Sequence, residues 1–246
     1  MHRECGRAEV DKLSQAGLHG IAGLYAGKLC KQANRGWLVY GLVLGSLLPD
    51  ADFFLLGPLY LFSTKLGLMM HRTFTHSLLA LVLVWAFFGL TAKRGDTWVA
   101  FGKGILAGVA LHMSMDVLTW FSGIDFLWPL GFFGVPSTIN LWTWFHPPRW
   151  LSNLLGAMDY PAFAAFFMVL AHSARKQETN LDFLPRLKVY TTILWVLAAV
   201  FTALAFVLGG LFDIAHYALF ILIFFPLTLH VVVKMRQTIL RFGENL

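Results

Sequence analysis

Cysteine and charge are what this chain has least of. Cys5 and Cys30 are the whole cysteine complement of 246 residues. Two cysteines without a short spacing build neither a disulfide framework nor a cysteine zinc site. Charged residues make up 13% of the sequence, against roughly 25% in soluble domains. With 58% hydrophobic residues and a mean hydropathy of +0.67, that scarcity excludes an ordinary soluble fold and describes a multi-span membrane protein. Long basic runs are also missing. The net charge is +6, but no more than two basic residues are consecutive. The excess therefore reads as basic cytoplasmic loops rather than a nucleic-acid surface. A cleaved signal peptide is not expected, because residues 1–12 carry both signs of charge and Gly17, His19, Gly20 and Gly23 interrupt the next apolar segment. No internal repeat or low-complexity linker divides the chain, so residues 1–246 read as one domain.

Apolar runs predict an all-α transmembrane bundle of six to seven spans, at 16–33, 37–56, 76–92, 98–121, 154–174, 189–210 and 212–234. Helices are required because backbone polar groups in hydrocarbon must be satisfied within the segment. The first span is the weakest, being rich in small residues, and could instead lie along the surface or enter partway. An N-out, C-in arrangement places thirteen of the nineteen Lys and Arg residues on the inner side, as basic cytoplasmic loops require. Residues 16–121 then hold the polar clusters, 122–153 form an extracytoplasmic loop, and 154–246 are carboxy-terminal spans without a recognised motif.

What stands out against the apolar background is a set of ligand-type side chains. Pro49-Asp50-Ala51-Asp52 closes the second predicted span, and Pro49 frees the backbone there to turn carboxylates inward. His71-Arg72-Thr73-Phe74-Thr75-His76-Ser77 opens the third, with Thr75 as its expected helix cap. His112 and Asp116 are four apart, so on a helix they share a face and can grip one ion. His19 lies near the start of the first span. The predicted topology brings all four segments to one depth. Ionisable groups near the bilayer are costly and mark function by default. The expected metal ligands are therefore His19, Asp50, Asp52, His71, His76, His112 and Asp116. Mixed imidazole and carboxylate donors suit zinc, with manganese or iron as alternatives, in one or two ions. A single Asp paired with Arg72 or Lys65 as a structural bridge is the plainer reading.

Residues 122–153 are aromatic, with Trp120, Trp128, Trp142, Trp144 and Trp150 in or beside them and four prolines that forbid continuous helix. Tryptophan prefers the headgroup level, so this loop is expected on or dipping into the outer leaflet, either as an anchor or as a lid or lipid-entry surface over the site. His146 within it could supply a ligand or an acid. His172, His216 and His230 read as packing or interfacial residues.

The series Leu47-Leu48-Pro49-Asp50-Ala51-Asp52, His71 to Ser77, His112-Met113-Ser114-Met115-Asp116-Val117-Leu118-Thr119 and Trp128-Pro129 resembles the YdjM-like family of inner-membrane, metal-dependent hydrolases. The same order is similar, more distantly, to zinc-dependent phospholipase C and the S1-type nucleases. That likeness implies His19, Asp50 or Asp52, His71 or His76, His112 and Asp116 as ligands, with Asp116 able to bridge two ions. Those soluble enzymes also carry a downstream His/Glu set that has no clear counterpart here.

The resulting expectation is an inner-membrane hydrolase acting on a phosphoester of a lipid or lipid-linked substrate at the non-cytoplasmic face. A metal-activated water is its nucleophile. Asp50 or Asp52, whichever does not ligate, orients that water or accepts its proton, and Arg72 holds a phosphate oxygen. A metal-ion transporter and an amidase-type zinc hydrolase are the competing readings. The sequence does not set the oligomeric state.

Overall fold

The computed structural model describes residues 16–30, 34–54, 56, 62–63, 70–119 and 123–242. Lys65 and Trp120 lie outside the described residues. Among the described residues, ten α-helices run in order: α1 (Ala16–Lys28), α2 (Arg35–Gly45), α3 (Leu78–Leu90), α4 (Asp96–Thr119), α5 (Arg149–Ala157), α6 (Asp159–Gln177), α7 (Leu184–Leu204), α8 (Leu211–Leu219), α9 (Phe225–Lys234) and α10 (Arg236–Leu240). Short 3-10 turns at Pro49–Asp52 and Phe74–His76 carry the two aspartates and one of the histidines expected as ligands.

Four helical stretches among the described residues are long and apolar enough to cross a membrane: Asp96–Thr119, Arg149–Gln177, Leu181–Leu204 and Leu211–Lys234. The three earlier predicted spans are shorter helices of 13, 11 and 13 residues, below the ~20 needed to cross unaided. In place of one continuous helix at 37–56, the chain leaves α2 at Gly45 and re-coils as a 3-10 turn with Pro49 at its first position. Proline has no amide hydrogen to give to the ladder, so the break falls where the ring sits. The last crossing absorbs Pro226 in another way, through a π-helical turn at Phe220–Phe224 between α8 and α9.

Small residues decide the packing of the amino-terminal half. Gly41 and Gly45 of α2 meet the backbone of α4 at Phe101 and Ile105, while Gly104 and Gly108 of α4 meet the α2 carbonyls of Leu38 and Leu42. A methyl group at any of the four would collide with main chain, so the two helices touch backbone to backbone. The small-residue character of α1 has the same meaning. Gly17 abuts Ala162 and Phe163 of α6, and Gly23 and Gly27 abut Leu42, Val43 and Val39 of α2. The helix with the poorest apolar signal is thus wedged between two others.

α6 is the buried spine, with Phe163, Phe166, Phe167 and Leu170 essentially inaccessible. A single apolar cluster runs from Ala16 through these rings to Phe242. α3 is the opposite case, since Leu-Leu-Ala-Leu-Val-Leu-Val-Trp-Ala-Phe-Phe-Gly-Leu is apolar on every side and contains no buried residue. A helix of that kind needs an apolar surround.

Candidate metal centre

The start of α1, the turn after α2, the turn before α3 and the last turns of α4 all lie at one end of the helical body, because these helices alternate in direction. There His19, Asp50, Asp52, His71, His76, His112 and Asp116 come together, none more than 8% exposed.

Hydrogen bonds fix which ring nitrogens face inward. His112 Nδ1 lies 2.8 Å from the Ser46 carbonyl, which can only accept, so Nδ1 carries a proton and, in the neutral ring that binds metal, Nε2 the lone pair. His71 Nδ1 lies 2.6 Å from Asp52 Oδ1, and the carboxylate fixes that ring in the same tautomer. The Thr75 hydroxyl donates to Asp52 Oδ2 at 2.7 Å. Its oxygen is then the acceptor for His76 Nδ1 at 3.0 Å, and His76 Nε2 is also a lone pair. Such outer partners are what orient histidine ligands on metals.

The inward atoms form a close polyhedron. His76 Nε2 and His112 Nε2 are 3.1 Å apart, and each is 3.2 Å from Asp116 Oδ2. Asp50 Oδ1 stands 3.6 Å from His112 Nε2, 3.9 Å from His76 Nε2 and 3.6 Å from His71 Nε2. Donors held about 2.0–2.1 Å from one tetrahedral ion stand roughly 3.3 Å from each other, so these separations are edges of a coordination cage. On the far side, Asp116 Oδ1 is 3.2 Å from His19 Nε2, and the His19 ring stacks on His112 at 3.9 Å. Three overlapping groups could hold a metal ion: His19, Asp50 and His112; Asp50, His71 and His76; and His76, His112 and Asp116. His19 Nδ1 and Asp50 Oδ2 are among the buried polar atoms that have no hydrogen-bond partner among the described residues. Facing lone pairs and orphaned carboxylate oxygen in a buried pocket fit a cation. Without one they repel.

The predicted ligands thus divide into two roles. Six supply atoms to the candidate groups, whereas Asp52 stands behind His71 with both oxygens engaged by His71 and Thr75. The expected cap is corrected. Ser77 caps α3 by accepting from the Ala80 amide, and Thr75 is spent instead on Asp52 and His76. Arg72 is half-buried on the same turn, and its carbonyl accepts from the Asp125 amide at 3.0 Å. His146 is exposed and lies outside the candidate groups. His172 and His230 are exposed as well, whereas His216 is buried and lies 3.1 Å from Asp159.

Two contributors have no signature of their own in the sequence. Ser46 acts through its carbonyl, which no side-chain pattern announces. Phe53 lies under His71, with ring centroids 3.9 Å apart, and is fully buried. The Gly41/Gly45 and Gly104/Gly108 spacings were the available signal that α2 and α4 would bring Ser46 and His112 into contact.

The model of the YdjM inner membrane protein family matches residues 15–237, a stretch that contains the whole centre. The chain belongs to this family. No curated protein and no solved structure matches it. Membership agrees with the apolar crossings in making this YdjM-family chain a membrane protein.

Proposed function

We propose that the centre is that of a metal-dependent hydrolase cleaving a phosphoester in a lipid or lipid-linked substrate, with zinc as the first candidate ion. The observation that carries this reading is the convergence of three Nε2 lone pairs, on His71, His76 and His112, with the carboxylates of Asp50 and Asp116 in one buried pocket. Nitrogen and oxygen donors in that mixture suit zinc, manganese or iron better than calcium or magnesium.

His76, His112 and Asp116, joined by Asp50, would hold the ion, and His19 (with Asp50 and His112) or His71 (with Asp50 and His76) offers an alternative or second position. When bound, such an ion supplies Lewis acidity and brings a water's pKa towards ~7. Asp50 Oδ2 is buried and without a partner among the described residues, which suits it to accept the proton of an attacking water. Asp52 keeps the His71 ring in register from behind. Arg72, adjacent to His71, is the candidate for a phosphate oxygen. The donors cluster at one end of the bundle, which favours chemistry at a single depth over passage of ions across it.

Purified protein is expected to carry stoichiometric metal and to hydrolyse a phosphodiester or a labelled phospholipid. His112→Ala and Asp116→Ala should each lose both. Full metal retention in both variants would overturn the ligand assignment, and metal binding without turnover on either ester would overturn the hydrolase reading.

A further inference from the structure

Beside the centre a hairpin projects from the helical body. Ile124 and Ile139 exchange backbone hydrogen bonds of 3.1 and 2.9 Å, and the Leu127 amide bonds to the Ser137 carbonyl at 3.1 Å. The tip is the 3-10 turn Leu130–Phe133, closed by Gly134 in the left-handed region. Phe132 and Phe133 are 79% and 78% exposed there, and Trp144 is 70% exposed in the turn that follows the returning segment. From Leu127 to Pro148 the sequence contains no Asp, Glu, Lys or Arg. An uncharged projection tipped with exposed aromatic rings is not built for water.

The base of the same hairpin is fastened to the centre on two sides. The Leu78 amide bonds to the Phe126 carbonyl at 2.8 Å, and the Asp125 amide to the Arg72 carbonyl at 3.0 Å. Trp128 meets Phe74 edge-on at 5.6 Å. On the other side, the Trp142 indole donates to the Leu118 carbonyl at 2.9 Å, two residues beyond Asp116. One element therefore joins the turn bearing His71 and His76 to the helix end bearing His112 and Asp116.

We propose that this hairpin is immersed in the lipid on the side of the metal centre and delivers a membrane phospholipid's phosphate to it from the bilayer. The delivery step rests on the hydrolase reading above. The immersion does not.

Two measurements on the full chain in lipid nanodiscs separate them. A nitroxide at Phe132→Cys, with Cys5 and Cys30 replaced by Ser, should relax with dissolved oxygen and be shielded from a water-soluble nickel chelate. Preferential relaxation by nickel would overturn immersion. The double substitution Phe132→Ser, Phe133→Ser should lower turnover of nanodisc phospholipid at least tenfold. It should leave bound metal and turnover of soluble bis(p-nitrophenyl) phosphate unchanged. Equal loss on both substrates, or no loss on either, would overturn delivery. If the parent chain turns over neither substrate, the hydrolase reading and delivery fall together, and the nitroxide result still decides immersion.

Discussion

His76 Nε2 and His112 Nε2 lie 3.1 Å apart, and while both rings are neutral neither has a proton to offer the other. Both Nδ1 atoms are engaged as donors, by Thr75 and by the Ser46 carbonyl. Asp116 Oδ2, 3.2 Å from each, adds a third electron pair to the same space. Only a positive charge makes this arrangement favourable. Chelation is expected to lower the thermal unfolding midpoint by several degrees and zinc to restore it. A ligand at a hundred times its Kd adds about 2.7 kcal/mol to the folded state. A midpoint unchanged by chelator in metal-loaded protein, or by zinc in metal-free protein, would contradict this.

Thr75 braces two histidines from behind, His76 directly and His71 through Asp52. Thr75→Val should weaken metal binding by roughly 10–100-fold, the usual effect of removing an outer partner. Thr75→Ser should restore it, because the hydroxyl rather than the methyl carries the role. Competition with a chromogenic chelator reads the affinity directly.

Phe53 offers a test of packing rather than charge. It is fully buried between His71 and Phe220, at centroid distances of 3.9 and 5.2 Å. Phe53→Ala should destabilise by about 3–5 kcal/mol and loosen His71, lowering metal occupancy as well. Phe53→Leu should be milder on both counts. Thermal unfolding and metal analysis of the same preparations separate the two effects.

Glycine substitutions should divide sharply. Gly104→Val places a branched side chain against the Leu38 carbonyl of α2, and the protein is expected to misfold or lose its metal. Gly89→Ala is the control, since no described atom lies within 4 Å of the added methyl. An interior helical Gly→Ala change favours folding by up to ~1 kcal/mol. Size-exclusion profiles and metal content of the two variants give the comparison.

The second buried pair, His216 and Asp159 at 3.1 Å, joins α8 to the start of α6 away from the candidate ligands. His216→Ala should destabilise by about 3–5 kcal/mol, as breaking a buried pair does, while bound metal stays stoichiometric. Loss of metal at native stability would place this pair in the centre instead.

The features legible in the sequence were those set by local geometry. His112 and Asp116 share a helix face because 3.6 residues make a turn, and Pro49 marks the break that turns Asp50 inward. Convergence of the segments came from helices running alternately up and down. Longer-range choices were hidden. Nothing local says that Asp52 would leave the ligand shell to brace His71, or that a main-chain carbonyl at Ser46 would set the His112 tautomer. Ser77 and Thr75 are both good caps by composition, and only the competing demand of Asp52 for the Thr75 hydroxyl decides between them. α1 looked weak because hydropathy undervalues glycine. In the bundle that same smallness admits it between α2 and α6.

The direct apposition of α2 and α4 at Gly41, Gly45, Gly104 and Gly108 has a bearing on which cation the pocket accepts. With no side chain between the two main chains, Ser46 and His112 cannot drift apart by a change of rotamer. That side of the proposed site is gauged by peptide backbone, so an ion whose bonds require about 2.3–2.6 Å instead of about 2.0–2.1 Å would have to take its extra room from the turns bearing Asp50, His71 and His76.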